Sequence, residues 1–331
     1  MNVCPARLEP IFSPRPWGAL SLAPFFPEMS NLAERIGETW MTGNDSVFAN
    51  GPFSGQRLGK AWPRMPVEWT GTAISHEGAF PILTKFIFAV EKLSVQVHPD
   101  DEYAAANERT AGGVGKTEMW YAVRSEPGAF VMAGLKPQVT PEKLRQAVLE
   151  GTAEDCLEHV PMLEGEAIFI PARTAHTIGP GLVLCEIQQN SDLTYRVFDY
   201  NRRDAQGRTR ELHIDKALAV MRFGEQTCRK LNPVRVQCGG AEESCFVSCA
   251  YFATERWEFT APITRRTSRE RFELLILLEG NGEVAWAGGR EKYNLAQAWM
   301  LPAALGEFRL EPSSPTTILR TYVPDSDTTG S

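Results

Sequence analysis

The chain has 331 residues, 43% hydrophobic and 23% charged, with a formal net charge of −7. The length exceeds one ordinary core and predicts two domains, and the acidic balance argues against nonspecific nucleic-acid binding. No apolar run approaches the roughly 20 residues of a membrane span, and residues 1–9 lack the basic-then-apolar pattern of a signal peptide.

Short alternating or apolar runs, separated by Gly, Pro and Asp, dominate the chain. Residues 80–98, 118–123, 129–133, 166–170, 181–188 and 194–199 read as strands. Asp100 caps a short helix over 101–108. Thr140-Pro141 opens a second, with Leu144, Ala147 and Val148 on one face. Thr152 caps a third, burying Leu157 and Val160. A fourth spans 212–223 and ends at Gly224. Strands resume over 245–253, 272–279, 282–286, 298–301 and 316–323. The expected fold is mainly β, two barrels with a small helical insert and a boundary near 225–240. Residues 1–230 form the first unit, 231–325 the second, and 326–331 a polar, flexible tail.

Seven cysteines lack CxxC spacing and read as free thiols in a reducing cytoplasm. Cys238, Cys245 and Cys249 cluster loosely but fit no common zinc module.

The chemistry-bearing residues lie in the first half. Leu93, Val95 and Val97 alternate with Ser94, Gln96 and His98, so one face of this strand carries a hydroxyl, an amide and an imidazole. The apolar run before it implies an inner strand, whose enclosed polar row needs partners; a metal or ligand supplies them. Lys116, Glu118 and Trp120 share a face, and Glu118 is either ion-paired or a metal ligand. Further on, Leu184, Glu186 and Gln188 share a face, as do Thr194, Arg196 and Phe198. An arginine within an apolar strand needs an anion. His76, His159 and His213 read as exposed or structural. No histidine follows His213, so the second half is expected to bind no metal.

Gly165, then five residues, then Pro171, with His176 five positions further on, resemble the second conserved motif of cupin jelly-roll barrels, except that Arg173 stands where cupins usually have Gly. Several ordered motifs are more specific: Pro16-Trp17-Gly18, Ile36-Gly37-Glu38-Thr39-Trp40, Ser94-Val95-Gln96-Val97-His98-Pro99-Asp100-Asp101, Gly115-Lys116-Thr117-Glu118-Met119-Trp120, Glu186-Ile187-Gln188-Gln189-Asn190-Ser191-Asp192 and Thr194-Tyr195-Arg196. Together, over residues 10–220, the chain resembles the short bacterial form of the type I mannose-6-phosphate isomerases, a cupin family.

The resemblance implies one zinc ion per chain held by Gln96, His98, Glu118 and His176, and interconversion of mannose 6-phosphate and fructose 6-phosphate. It places the catalytic arginine at Arg196, a lysine at Lys116 and an acid–base carboxylate at Glu186; Ser94, Lys116 and Arg196 would hold substrate. The reaction moves a proton between adjacent carbons through an enediol, so negative charge grows on oxygen, where a divalent metal and an arginine stabilise it. Arg196 is too basic to be the proton carrier. A zinc-bound water, Glu186 or Lys116 remain as candidates, and Arg196, Lys116, Arg202 and Arg203 can receive the phosphate. Two rivals share the barrel: a non-haem iron oxygenase, whose facial triad also takes two His and one carboxylate, and a sugar-binding or regulatory module without catalysis.

Overall fold

In the computed structural model, residues 2–75, 78–204, 206–224 and 228–324 are described. His76, the tail at 326–331 and part of the expected boundary lie outside them. The described chain is mainly β, and its strands form sheets of eight, seven, five and four strands.

Alternating side chains stack these sheets. In the strand Ile82–Ala89 every residue is buried. Phe86 and Phe88 join one apolar cluster, with Leu274, Ile276 and Met300 of the eight-stranded sheet. Ile87 and Ala89 join another, with Val131, Ala133 and Ile178 of the five-stranded sheet. The seven-stranded sheet is therefore covered on both faces, which is why this strand reads as an unbroken apolar run. A separate cluster joins Leu275, Leu277 and Trp299 of the eight-stranded sheet to Val284, Phe308 and Leu310 of the four-stranded one. The sheets thus make two facing pairs, seven with five and eight with four, set back to back.

Three helices cover the outside of the five-stranded sheet, while the short helices Leu58–Ala61 and Val67–Thr70 pack in the cluster shared with the eight-stranded sheet. Pro141–Glu150 starts at Thr140, whose hydroxyl accepts from Lys143 N at 3.3 Å. Its Leu144, Ala147 and Val148 pack with Val95, Val97, Tyr195 and Val197, as do Ala217 and Val220 of the helix Ile214–Val220. Asp100 caps Asp101–Asn107 by accepting from Tyr103 N at 3.0 Å.

Several expectations change. The run 80–98 is two strands, Ile82–Ala89 and Val95–Val97, in different sheets. The third helix is one 3-10 turn, Ala153–Cys156, followed by the strand Leu157–Pro161. The alternation at Leu157 and Val160 was too short to separate the two periods. The fourth helix ends at Val220, before Gly224. A register shift between Arg196 and Phe198 turns Phe198 into the apolar cluster with Tyr195 and Val197, so it does not share the face of Arg196. The strands Ile11–Ala19, Val234–Cys238 and Gly289–Asn294 were not anticipated. Each is at a sheet edge, where one or both faces meet solvent and apolar alternation is weak.

The strand Ala6–Glu9 pairs with Ala298–Leu301 and with Val47–Phe48, which places the start of the chain in the eight-stranded sheet. No described helix is long and apolar enough to cross a membrane.

Candidate metal centre and adjoining cleft

Register builds the site. His176 opens the strand His176–Ile178 and lies directly opposite Gln96. On the other side of the same strand, Gln96 lies opposite Arg196. Directly opposed residues point to one face, so the five-stranded sheet presents Arg196, Gln96 and His176 in a row. The seven-stranded sheet presents a second row, because Glu186 lies opposite both Lys85 and Trp120. Glu118, at the start of Glu118–Ser125, and His98, just past Val95–Val97, close the space between the rows.

His98, Glu118 and His176 are each at most 1% exposed. Glu118 Oε1 is 3.3 Å from His176 Nε2, and its Oε2 is 3.7 Å from His98 Nε2. One ligand atom from each lies within 4.8 Å of the others, the arrangement needed to hold a metal ion. The far side of each imidazole is fixed by a backbone carbonyl. His98 Nδ1 reaches Leu193 O at 2.8 Å and His176 Nδ1 reaches Thr174 O at 2.9 Å. A carbonyl only accepts, so each Nδ1 carries the proton and each Nε2 lone pair faces Glu118. Among the described residues, Glu118 Oε1 is buried without a hydrogen-bond donor. Two inward lone pairs and an orphaned carboxylate oxygen form an acceptor-rich centre that suits a divalent cation.

Gln96 and Lys116 border this centre. The Gln96 amide nitrogen donates to His176 Nε2 at 3.2 Å, and Lys116 Nζ donates to Glu118 Oε2 at 2.5 Å and His98 Nε2 at 3.2 Å. Glu186 accepts from Trp120 Nε1 at 2.9 Å and lies 3.6 Å from Lys116 Nζ and 3.5 Å from Lys85 Nζ.

Burial dominates the electrostatics. It pushes both histidines toward the neutral, ligating form, helped by the Lys116 ammonium; His176 falls to about 3. Burial lifts the Glu118 carboxyl to about 8 against the pull of Lys116. A bound dication reverses that tendency by stabilising the carboxylate. Burial also opposes ionisation of Glu186, but Lys116, Lys85 and the Trp120 hydrogen bond outweigh it and hold this carboxyl at about 2. For Lys116 the burial penalty is outweighed by Glu118 and Glu186, which keep the ammonium above its ordinary value.

The centre adjoins a cleft of about 440 Å³ lined by Ser94, Gln96, Lys116, Glu186 and Arg196, within the size range of small-molecule sites. All eight site residues anticipated from the sequence lie here: His98, Glu118 and His176 form the centre, Gln96, Lys116 and Glu186 border it and line the cleft, and Ser94 and Arg196 line the cleft. Five cationic and three acidic side chains line it, so it is locally positive within an acidic chain. Arg202 and Arg203 are elsewhere. Arg202 donates to Lys92 O and covers the Tyr200 ring; Arg203 donates to Gly207 O at 2.7 Å. Sequence reading missed Arg15, Glu38, Lys85, Asp192 and Arg210, all lining the cleft. Lys85 was open to the same reasoning as Arg196, being a cation inside an apolar strand. Arg15 and Arg210 carried no such signal.

Arg173 adopts φ 73°, the left-handed conformation that glycine tolerates best. Its N–H donates to His98 O at 2.7 Å, its Nε to Val220 O at 2.8 Å, and its Nη1 lies 3.3 Å from Asp100. These contacts hold a corner beside two of the site's imidazoles. Cys238, Cys245 and Cys249 are all free thiols.

Residues 7–126 match the family model described as phosphomannose isomerase type I, catalytic domain. Mannose-6-phosphate isomerase ManA of Bacillus subtilis is 33% identical over 316 residues, 94% of this chain and 97% of that one. A mannose-6-phosphate isomerase of Streptococcus mutans is 34% identical over 80% of this chain and 81% of its own length. Among solved structures, the mannose 6-phosphate isomerase from Bacillus subtilis superposes with a TM-score of 0.87 at 29% identity, covering 96% of this chain and 99% of that one.

Proposed function

The chain belongs to the type I phosphomannose isomerase family, and from that premise we propose that it interconverts mannose 6-phosphate and fructose 6-phosphate with a zinc ion bound by Gln96, His98, Glu118 and His176. The observation that carries this reading is the buried His98–Glu118–His176 group opening, past Gln96 and Lys116, into a positively charged cleft. Two imidazoles, a carboxylate and an amide oxygen suit a borderline metal. The amide of Gln96 offers its oxygen once turned about its terminal bond.

When bound, the ion supplies Lewis-acid stabilisation of negative charge on a substrate oxygen. The protein residues supply the rest. Arg196, in register with Gln96, stabilises the oxygen charge of the enediolate and grips the substrate. Glu186 and Lys116 are the ionisable groups that both line the cleft and touch the centre. Glu186 is placed to accept the carbon-bound proton as a carboxylate, and Lys116 to donate to the oxygen as an ammonium. Trp120 and Lys85 hold Glu186 in place. Ser94, 4% exposed, adds a hydroxyl at the cleft wall.

We read the two facing sheet pairs as two cupin-type jelly-roll barrels, residues 1–230 and 231–325, with Ala6–Glu9 lent to the second; the paired apolar clusters support this. A cytoplasmic setting belongs to the same proposal, supported by the free thiols of Cys4, Cys156, Cys185, Cys238, Cys245 and Cys249. A coupled assay on mannose 6-phosphate, with metal analysis of the purified protein, tests the whole. Turnover with about one zinc per chain supports it. Iron with oxygen consumption would favour the oxygenase instead, and a metal-loaded protein without isomerase turnover would leave a binding module.

A further inference from the structure

Three guanidinium groups gather at one part of the cleft, from three separate segments. Arg196 comes from Tyr195–Phe198, Arg15 from the edge strand Ile11–Ala19, and Arg210 from the connection that follows Phe198. Like charges repel, and Arg196 feels both neighbours: after burial, Arg210 is the largest influence lowering its pKa, and Arg15 acts the same way. A cluster of this kind persists only if each member is anchored or a counter-ion is expected.

The anchors are specific. Glu38 accepts from Arg15 Nε at 3.1 Å and Nη2 at 2.9 Å, and Trp40 Nε1 braces the same carboxylate at 2.7 Å. Asp199, 4% exposed, accepts from Arg210 Nε at 2.7 Å and from its Nη2. Each carboxylate grips one edge of its guanidinium; Arg15 Nη1 also donates to Pro14 O at 3.0 Å, and with five N–H groups per guanidinium each arginine still has donors over. Among the described residues, Arg210 Nη1 meets no acceptor. Arg196 is held by one contact from its own side chain, Nη1 to Glu211 O at 3.1 Å, and its buried Nε has no acceptor. The two lysines of the cleft are committed deeper, to Glu186 and Glu118.

Planar donors with free N–H groups, fixed in advance and facing a cleft, match the oxygens of a phosphate monoester. We infer that Arg15 and Arg210 form, with Arg196, the seat for the substrate's phosphate group, and so set the preference for a phosphorylated over a free sugar. The inference rests on the isomerase reading above. The phosphate's binding energy then orients carbons that the phosphate itself does not touch. The seat also replaces Arg202 and Arg203 in that role.

The test uses the metal-loaded full chain and the variants Arg15→Met, Arg210→Met and Arg210→Lys. For each Met variant KM for mannose 6-phosphate is expected to rise about 10- to 100-fold, as loss of a charged hydrogen bond implies. The loss should appear in KM more than in kcat, and metal content should stay at the wild-type value. Arg210→Lys should fall between wild type and Arg210→Met. Inorganic phosphate serves as an independent probe: it should raise the melting temperature of the wild type and lose that effect in the double Met variant. An unchanged KM with an unchanged phosphate response overturns the seat. So does a drop in melting temperature with no change in KM, since that is the signature of anchors that only hold the fold. A wild type that responds to phosphate but does not turn over mannose 6-phosphate instead removes the isomerase reading and leaves the seat standing.

Discussion

The two facing sheet pairs enclose opposite interiors. Between the seven- and five-stranded sheets lie His98, Glu118, His176, Lys116 and Glu186, next to a cleft of about 440 Å³. Between the eight- and four-stranded sheets lie Leu275, Leu277, Val284, Tyr293, Trp299, Leu301, Leu310 and Ile318, around a void of about 10 Å³. That is about the least space that admits one water, and its lining offers a water no set of polar partners. The same layering therefore serves two ends. Where register places imidazole, amide and carboxylate inward, the sandwich must stay open and bind something. Where it places leucine and tryptophan inward, it closes.

Breaking the first interior should have the largest effect. His98→Ala removes an inward lone pair, and its loss of bound metal, read by elemental analysis, should exceed the about 100-fold weakening that follows loss of an outer partner; activity should vanish with it. Arg196→Ala should lower turnover about 100- to 1,000-fold, the scale of losing a charge-stabilising donor, with metal content intact. A fully active variant would remove Arg196 from catalysis. The converse applies to the second interior. Leu277→Ala should cost about 2–5 kcal/mol in denaturant unfolding and leave kcat/KM of the folded fraction unchanged. A shift in KM would mean the closed interior communicates with the open one.

The smallest effect sharpens the comparison at a single corner. Arg173 occupies a left-handed conformation that costs a non-glycine residue about 1–2 kcal/mol. Arg173→Ala keeps that strain and loses the side-chain bonds to Val220 and Asp100; Arg173→Gly loses the bonds and the strain together. The Gly variant should therefore unfold at higher denaturant than the Ala variant, by about 1 kcal/mol. Equal stabilities would show that the corner relaxes without the arginine.

What could be read in the sequence followed burial. The doubly covered strand Ile82–Ala89 and the capped helix Pro141–Glu150 each have a pattern set by what they pack against. Gln96, His98 and Glu118 stood out because polar groups on enclosed strands need a reason, whereas His176 was placed by the likeness of its corner to a cupin motif, and the four were joined as one ligand set only by the family resemblance. The edge strands Ile11–Ala19, Val234–Cys238 and Gly289–Asn294 escaped notice because solvent accepts almost any side chain. The helix expected after Thr152 failed because two apolar positions three apart serve a helix or a bulged strand equally. Arg15 and Arg210 were illegible for a different reason: a charge on an edge or in a connection looks solvated until the cleft it borders is known. Only the tertiary structure shows that Glu38 and Asp199 hold them there.

The pairing of Ala6–Glu9 with Ala298–Leu301 has a consequence for biogenesis. The edge of Ala6–Glu9 that faces Val47–Phe48 can pair early, but its other edge finds a partner only once Ala298–Leu301 has been synthesised. Until then Ala6 and Leu8, at most 1% exposed in the finished fold, lack part of their cover, and the emerging chain carries that edge open.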